Sequence, residues 1–461
     1  MKNIKNLFLI IFLFAEILNA QVTFDKLFFD FHVPESNGTG ITGIQIAPDG
    51  NVWITTYDNG APDGMVHDTI FTASGDTVVI QPIYVLDPVT AEHVSFSPIR
   101  FLELPDGTVD TLNTVSYGID ILNNGNLLVS RSKTLYEVDY KTGKALRKWH
   151  HPLDKYVTQA VQSPADGNIY VMALLGQKSP MYILDADFNT IGNAIDSMNY
   201  INRTLEISQD GKTLYTGSTW SGFGIPVYHS DAPGLTPFTP VDTLGNWFNV
   251  PGKTDDGRDT VFEKINLWAS CLDFAPDGLL WVGALKEVDP GGRWYQGAGK
   301  GSQWYAFDVS TGKIVDSIGI PFGDSTKGGF ISPRGATWTA DGKKMYLADW
   351  DYNTITIWSY NPPVSVEKTS DEIPANFTLS QNYPNPFNPT TTISFTLPKS
   401  GFVTLKVYNM LGQEVATLVN GVKVAGNYKA TLNGKDLSSG TYIYSLKSGD
   451  IQITRKMTLL K

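Results

Sequence analysis

Two sets of polar side chains recur at fixed spacing before six Asp-Gly or Asn-Gly pairs, whose glycines are Gly50, Gly125, Gly167, Gly211, Gly278 and Gly342. Eight residues before these glycines stand Thr42, Tyr117, Gln159, Arg203, Ser270 and Arg334. The set contains two arginines and a tyrosine but no acid. It predicts a site for a carboxylate, phosphate or sulfate group, because guanidinium groups donate paired hydrogen bonds to such oxygens. The alternative is that both arginines pair with neighbouring carboxylates.

The second set lies three residues further along the chain. Its members are Gln45, Asp120, Gln162, Glu206, Asp273 and Thr337. Because apolar residues flank nearly all of them, they predict a polar ring on the innermost strands, with hydrogen bonds that fix one repeat to the next. A cation held by Asp120, Glu206 and Asp273 is the alternative, since Ca²⁺ prefers carboxylate oxygens. We predict no cofactor and no metal ion, and a Ca²⁺ ion bound by these three acids is the alternative.

Each glycine lies in a strand–turn–strand repeat such as GIQIAPDGNVWIT at 43–55. The spacings between turns are 75, 42, 44, 67 and 64 residues, and about 42–44 is the length of one propeller blade. The repeats resemble those of NHL-type propellers over most of residues 22–361. They predict an all-β fold with a six-bladed β-propeller at 21–363, or a seventh, degenerate blade near Leu104–Gly107. Residues 26–33 are expected to complete the last blade and so protect two sheet edges.

Aromatic residues recur after the turns and on the insertions. Trp53, Leu128, Tyr170, Tyr215, Trp281 and Tyr346 follow the six glycines and are expected to pack between blades. Trp220, Trp268 and Trp294 lie on or near loops that we expect at the channel mouth. The mouth is the end of the inner strands that is opposite the Asx-Gly turns. They predict stacking on a sugar or peptide, with local packing as the alternative.

The evidence for catalysis is indirect. Six-bladed lactonases of the gluconolactonase and paraoxonase type hold a catalytic Ca²⁺ with Glu, Asn and Asp at the strand openings, and this chain has none of these residues there, which argues against a calcium lactonase. Asp349, Asp351 and Asn353 remain as oxygen ligands, or as parts of a polar hairpin. The common hydrolase and metalloprotease motifs are missing. A binding module for a glycan, peptide or anionic ligand is favoured. The alternative is a secreted hydrolase or lyase acting on a polymer or lactone, with Glu206 or Glu287 as base, so enzymatic activity stays open.

The C-terminal segment carries a different signature. Its first box is Gln381, Asn382, Tyr383, Pro384, Asn385, Pro386, Phe387, Asn388 and Pro389, and its last residues run from Lys456 to Lys461. With VYNMLGQEV at 407–415 and LSSGTY at 437–442, it resembles the C-terminal sorting domain of type IX secretion cargo from Bacteroidetes-like bacteria. The resemblance implies an immunoglobulin-like module at 374–461 that the secretion machinery recognises and often removes. About seven alternating strands independently predict a small β-sandwich, with 364–373 as linker.

The other end and the composition agree with export. Residues 1–20 have two lysines, a short apolar run and a small residue at the end, which predicts a signal peptide rather than a membrane span. The net charge is −11, which disfavours nucleic acid as a partner. Cys271 is the single cysteine, so no intramolecular disulfide forms. We expect a secreted or cell-surface protein, exported through the periplasm, that recognises an extracellular ligand.

Overall fold

A computed structural model describes residues 22–31, 40–57, 68–71, 75, 77–173, 179–198, 202–218, 224–234, 237–245, 248–253, 259–265, 268–285, 303–321, 324–360, 364–370, 374–399, 401–423, 425–434, 437–449 and 451–461. The predicted signal peptide at 1–20 lies outside these residues. No helix within the described ranges is long and apolar enough to cross a membrane.

The repeats form six antiparallel sheets. Strand β1 (Val22–Asp30) comes first, and the first blade follows with β2 (Gly40–Ile46) and β3 (Val52–Tyr57), an inserted hairpin of β4 (Asp68–Phe71) and β5 (Thr77–Ile80), and β6 (Tyr84–Leu86). A second hairpin, β7 (Phe101–Glu103) and β8 (Val109–Thr111), leads to the second blade of β9 (Ser116–Ile121), β10 (Leu127–Arg131), β11 (Thr134–Val138) and β12 (Ala145–His150). The third blade contains β13 (Val157–Gln162), β14 (Ile169–Ala173), β15 (Ser179–Leu184) and β16 (Thr190–Met198).

The remaining blades follow the same order. The fourth contains β17 (Asn202–Ile207), β18 (Thr213–Ser218), β19 (Ile225–His229) and β20 (Thr239–Leu244), after which β21 (Phe248–Lys253) and β22 (Asp259–Ile265) form a hairpin. The fifth contains β23 (Trp268–Phe274), β24 (Leu280–Leu285), β25 (Gln303–Asp308) and β26 (Lys313–Ile318). A short parallel pair, β27 (Ile320–Pro321) and β28 (Gly329–Phe330), precedes the sixth blade of β29 (Pro333–Trp338), β30 (Lys344–Asp349) and β31 (Thr354–Tyr360).

The inner strands close into a ring. Strands β2, β9, β13, β17, β23 and β29 each contact the next one, and β29 contacts β2. The predicted six-bladed propeller is therefore confirmed, and the alternative of a seventh blade is wrong. The Leu104–Gly107 segment is instead the turn of the β7–β8 hairpin, where the Gly107 amide donates to the Leu104 carbonyl.

The N-terminal strand completes the sixth blade. Strand β1 pairs antiparallel with β31 from Val22 opposite Tyr360 to Asp30 opposite Thr354, so it begins earlier than the predicted 26–33. The Phe24 ring packs edge-on against Trp358 at 5.3 Å. The sheet edge of β31 is thus covered by a strand from the other end of the domain.

The core is divided into clusters between neighbouring blades. Trp53 of the first blade packs with Ile119 and Leu127 of the second, and the other blade pairs are joined in the same way. All six predicted packing residues are buried: Trp53, Leu128, Tyr170, Tyr215, Trp281 and Tyr346. Each blade therefore contributes one large side chain to the interface with the next blade.

The C-terminal part is a two-sheet β-sandwich with its own core, which includes Phe387, Phe395 and Tyr444. One sheet has the order β32, β37, β34, β33 and the other β36, β35, β38, β39. These strands are β32 (Val364–Ser370), β33 (Thr378–Leu379), β34 (Thr390–Leu397), β35 (Gly401–Tyr408), β36 (Glu414–Lys423), β37 (Gly426–Asn433), β38 (Gly440–Ser448) and β39 (Ile451–Leu459). The predicted linker at 364–373 is wrong for residues 364–370, which pair with β37 along its free edge.

We predict that removing residues 22–31 destabilises the propeller. The deletion exposes the β31 edge and removes the buried Val22 and Phe28 side chains, each worth about 1.5–3 kcal/mol. Urea denaturation should show a free energy of unfolding lower by at least about 3 kcal/mol, and size-exclusion chromatography should show association through the open edge. A chain that begins at Val22 is the control, and equal stability of the two chains would contradict ring closure by β1.

Candidate functional site

A β-bulge occurs at the same place on every inner strand. The residues left out of the strand pairing are Thr42, Tyr117, Thr158, Arg203, Ser270 and Arg334. A bulge inserts one extra residue and redirects its side chain. Five of these are the predicted mouth residues, and the repeated bulge is what places them around one opening.

The third blade departs from the predicted spacing by one residue. Its turn is longer: the Gly167 amide donates to the Ser163 carbonyl, four residues back, whereas Gly50 donates to Ala47, three residues back. The bulge residue is therefore Thr158 instead of Gln159, and Val161 takes the position predicted for Gln162.

The inner strands enclose a small channel of about 30 Å³, which is space for one or two water molecules or a single cation. Its walls include all six predicted mouth residues, Thr42, Tyr117, Gln159, Arg203, Ser270 and Arg334, together with Gln45, Asp120, Glu206 and Asp273. The structure thus brings the two arginines and the three acids to one cavity.

Both arginines lack a hydrogen-bonded anion. Arg203 Nη2 and Arg334 Nε and Nη1 are buried without a hydrogen-bond partner. The Arg203 guanidinium lies over the Tyr117 ring at 5.6 Å and that of Arg334 over Trp350 at 4.9 Å. Burial, and then the positive charge of Arg334, holds the pKa of Arg203 well below its usual range. The mouth therefore carries two guanidinium groups, each with at least one donor nitrogen that has no hydrogen-bond partner.

The carboxylates nearest to Arg334 are engaged elsewhere. Asp349 accepts hydrogen bonds from the amides of Ile331, Ser332 and Tyr352 at 2.8–2.9 Å, and the Ser332 hydroxyl donates to Asp351. Burial lowers the pKa of Arg334 to about 10, and the negative charges of Asp351 and Asp349 offset this effect only in part. The buried Asn353 has a positive φ of 54°, and its carbonyl accepts from Phe31. Asp349 and Asn353 therefore have structural roles in this loop.

Aromatic rings frame the two guanidinium groups. Tyr117 contacts Tyr156 with ring centroids 6.0 Å apart, and Tyr57 contacts Trp350 at 5.4 Å. The sequence did not identify Tyr57, Tyr156 and Trp350 as site residues. Tyr57 is the last residue of β3, and Trp350 directly follows β30. Both strands are the second of their blade, and the loops after such strands emerge at the mouth. Of the predicted aromatics, Trp220 and Trp294 lie outside the described residues, as does the side chain of Trp268.

The lower part of the channel is acidic. Asp120, Glu206 and Asp273 line it, whereas Gln162 and Thr337 do not. Gln162 Oε1 accepts from the Asn123 amide at 2.7 Å and Thr337 Oγ1 from the Ile46 amide at 3.2 Å, in each case from a neighbouring blade. The predicted hydrogen bonds between blades therefore form at these two residues but not at the three acids.

The three acids share one electrostatic environment. Burial raises the pKa of Asp120 to about 7. Burial also raises the pKa values of Glu206 and Asp273 well above their usual range, and the negative charges of their acidic neighbours add to this effect. Both effects favour the protonated form of these carboxyl groups, so protons neutralise part of their charge near neutral pH. In the same part of the chain, no group of three His, Cys, Asp or Glu side chains is placed to hold a metal ion, and the calcium alternative stays a prediction.

The sorting signature forms one continuous surface on the sandwich. Gln381 Nε2 donates to the Lys456 carbonyl at 2.7 Å, and Asn385 Oδ1 accepts from the Thr458 amide at 2.9 Å. The buried Phe387 exchanges backbone hydrogen bonds with Thr458 and Leu460. The box at 381–389 and the terminal strand are therefore two halves of one structure, with Tyr383 largely exposed.

The fold and the surface signature define a six-bladed β-propeller that carries a separate C-terminal β-sandwich. Residues 381–459 match the family described as the secretion system C-terminal sorting domain. The protein is thus a cargo of type IX secretion, delivered to the cell surface or beyond it. No curated protein matches the sequence.

Several solved structures are similar in fold. The surface component PorZ of the type IX secretion system of Porphyromonas gingivalis is 11% identical over 94% of this chain and 60% of its own, with a TM-score of 0.35. Virginiamycin B lyase from Staphylococcus aureus is 13% identical over 73% and 98%, with a TM-score of 0.37. A calcium-binding protein, regucalcin, from Agrobacterium tumefaciens is 12% identical over 73% and 93%, with a TM-score of 0.43. The chain spans about three fifths of the length of PorZ.

We predict that stability falls as the pH rises from about 4 towards 7. The folded state has a pKa of about 7 at Asp120 against 3.8 for an ordinary aspartate, so in this window it binds more protons than the unfolded state, and stability is lost as those protons leave. At pH 8, Asp120→Asn should therefore raise the midpoint of thermal unfolding, by about 2–4 °C. Exposed Asp231→Asn is the control, and an unchanged or lower midpoint in Asp120→Asn would contradict the unpaired acidic channel.

We also predict separate roles within the sorting box. The buried Asn382 side chain donates to the Pro384 carbonyl at 3.0 Å and to Thr391 Oγ1 at 2.9 Å. Asn382→Ala removes both hydrogen bonds and leaves only that from the Thr391 hydroxyl to the Pro384 carbonyl at 2.8 Å, so it should destabilise the sandwich by about 1–3 kcal/mol, measured by denaturant titration. Tyr383→Ala is the matched control because its ring is 82% exposed, and equal losses in the two variants would refute the distinction.

Proposed function

We propose that the propeller binds an acidic glycan or peptide by its anionic group at the mouth of the central channel. The observation that supports this proposal is that Arg203 Nη2 and Arg334 Nε and Nη1 are buried without a hydrogen-bond partner. A buried charge that is not fully compensated is costly, and a bound anion would stabilise both guanidinium groups at once. Carboxylate, sulfate and phosphate groups have the oxygen geometry that guanidinium donors match.

The size of the channel favours binding of the ligand by its end. The channel that the arginines and the acids line is about 30 Å³, so only a small group enters and the body of the ligand stays outside. There it meets the rings of Tyr57, Tyr156 and Trp350, which offer apolar faces to a sugar ring or a peptide side chain. The expected ligand is therefore the charged terminus of an extracellular polymer, or a small acid derived from one.

The acidic lower part adds selectivity. Asp120, Glu206 and Asp273 lie beneath the arginines in the same cavity, and a second anionic group would be repelled by them wherever they are ionised. A ligand with one terminal anionic group should bind better than a compact dianion. Glu206, the base of the hydrolase or lyase alternative, belongs to this acidic set, while Glu287 lies outside the described residues.

The test compares acidic and neutral sugars on the exported chain. Isothermal titration calorimetry with trigalacturonate, a sulfated disaccharide and their neutral counterparts should show binding of acidic members only. Arg203→Ala and Arg334→Ala should each weaken binding by about 10-fold or more, because a hydrogen bond to a charged group contributes about 1.5–3 kcal/mol.

Lys327→Ala is the matched control, since it removes a positive charge from an exposed site on the 3-10 turn at Ser325–Lys327. Equal affinity for acidic and neutral sugars, or unchanged binding by the double variant Arg203→Ala plus Arg334→Ala, would refute the proposal.

A further inference from the structure

A second, larger cavity lies beside the second blade. It has a volume of about 400 Å³ and is walled by β8, by the β10–β11 turn at 131–134, and by Tyr136 and His150. Cavities of roughly 300–1,000 Å³ are typical of small-molecule sites. The two cavities share no lining residue.

The inner wall of this cavity contains a buried arginine. Arg131 is 3% exposed, and its Nη1 donates to Ser116 Oγ at 2.7 Å and to the Gln81 carbonyl at 3.0 Å. Its Nη2 is buried and has no hydrogen-bond partner. One half of the guanidinium is thus fixed by the protein, and the other half has unused donors.

No carboxylate of the described residues neutralises this charge. Burial lowers the pKa of Arg131 to about 9, and the phenol of Tyr136 offsets the effect only in part. The acid that lines the cavity, Asp110, already accepts from the Tyr136 hydroxyl at 2.8 Å and from Lys148 Nζ at 2.6 Å. The buried guanidinium therefore remains uncompensated.

The rim of the cavity is balanced in charge. Lys133 pairs with Asp154, which also lies 3.2 Å from His150 Nε2. Thr111 and Thr134 lie in the same walls, and the Thr134 hydroxyl is within 3.3 Å of His150 Nδ1. The positive charge available to a ligand is therefore that of Arg131, at the inner end of a polar cavity.

We propose that this cavity binds a small oxyanion, a carboxylate or phosphate group carried by a molecule no larger than a monosaccharide. The anion would accept from Arg131 Nη2, which the protein leaves unbonded. A fixed, half-bonded guanidinium is preorganised for such a ligand because little side-chain entropy remains to be lost. This site is independent of the channel mouth and would operate whether or not the mouth binds a ligand.

The experiment measures how anions change the midpoint of thermal unfolding of the exported chain. Malonate and inorganic phosphate are titrated against sodium chloride at equal ionic strength, because a ligand that binds the folded state raises the midpoint as its concentration increases. The wild-type chain should show a saturable rise. Arg131→Met should abolish the rise. The midpoint of this variant without added anion is its reference, so a change in its basal stability does not obscure the result.

Two further variants locate the effect. Lys133→Glu keeps Arg131 but adds a negative charge at the rim, and it should weaken the apparent affinity about 10-fold or more. Arg203→Ala plus Arg334→Ala should retain the rise. The proposal is overturned if neither anion stabilises the wild-type chain, if Arg131→Met responds like the wild type, or if the effect disappears only in the double arginine variant. A response to malonate alone would identify an organic acid as the ligand, and a response to phosphate alone a phosphate group.

Discussion

The structure depends on one pairing of strands, that of β1 with β31. The two strands are separated by the whole propeller in sequence, yet they share one sheet from Val22 to Asp30. With the ring closed, each of the six blades holds one wall of a common channel. The mouth is a product of this closure, because Arg203 comes from the fourth blade, Arg334 from the sixth and Tyr117 from the second. None of the three is near the others in sequence.

The channel separates charge along its axis. At the mouth, Arg203 and Arg334 stack on aromatic rings, which accept a cation without neutralising it. Below them, Asp120, Glu206 and Asp273 raise one another's proton affinity. Nitrogens of the arginines lack hydrogen-bond partners and the pKa values of the acids are raised, so a bound anion or a proton would satisfy them. Such unsatisfied groups reduce stability and are typical of functional sites.

Much of the propeller could be predicted from the sequence because the Asx-Gly turns fix the register of each inner strand. The prediction failed by one residue in the third blade, where the turn around Asp166 is longer and moves Gln162 out of the ring. Trp350 and Tyr156 were missed because a loop aromatic gives no periodic signal. The strand at 364–370 was missed because its pairing with β37 at the edge of the sheet comes from tertiary packing. The two-level arrangement of arginines and acids followed from spacing, but which guanidinium nitrogens lack hydrogen-bond partners is a property of three-dimensional packing.

The contact between the sorting box and the terminal strand has a consequence for the timing of export. Within the box, Gln381, Asn385 and Phe387 form hydrogen bonds with Lys456, Thr458 and Leu460, which the ribosome adds about seventy residues later. A chain that stops before residue 456 contains the whole box but lacks these three partners. The box and the terminal strand therefore depend on each other, and the complete surface of the signature forms only after the last strand has been synthesised and paired.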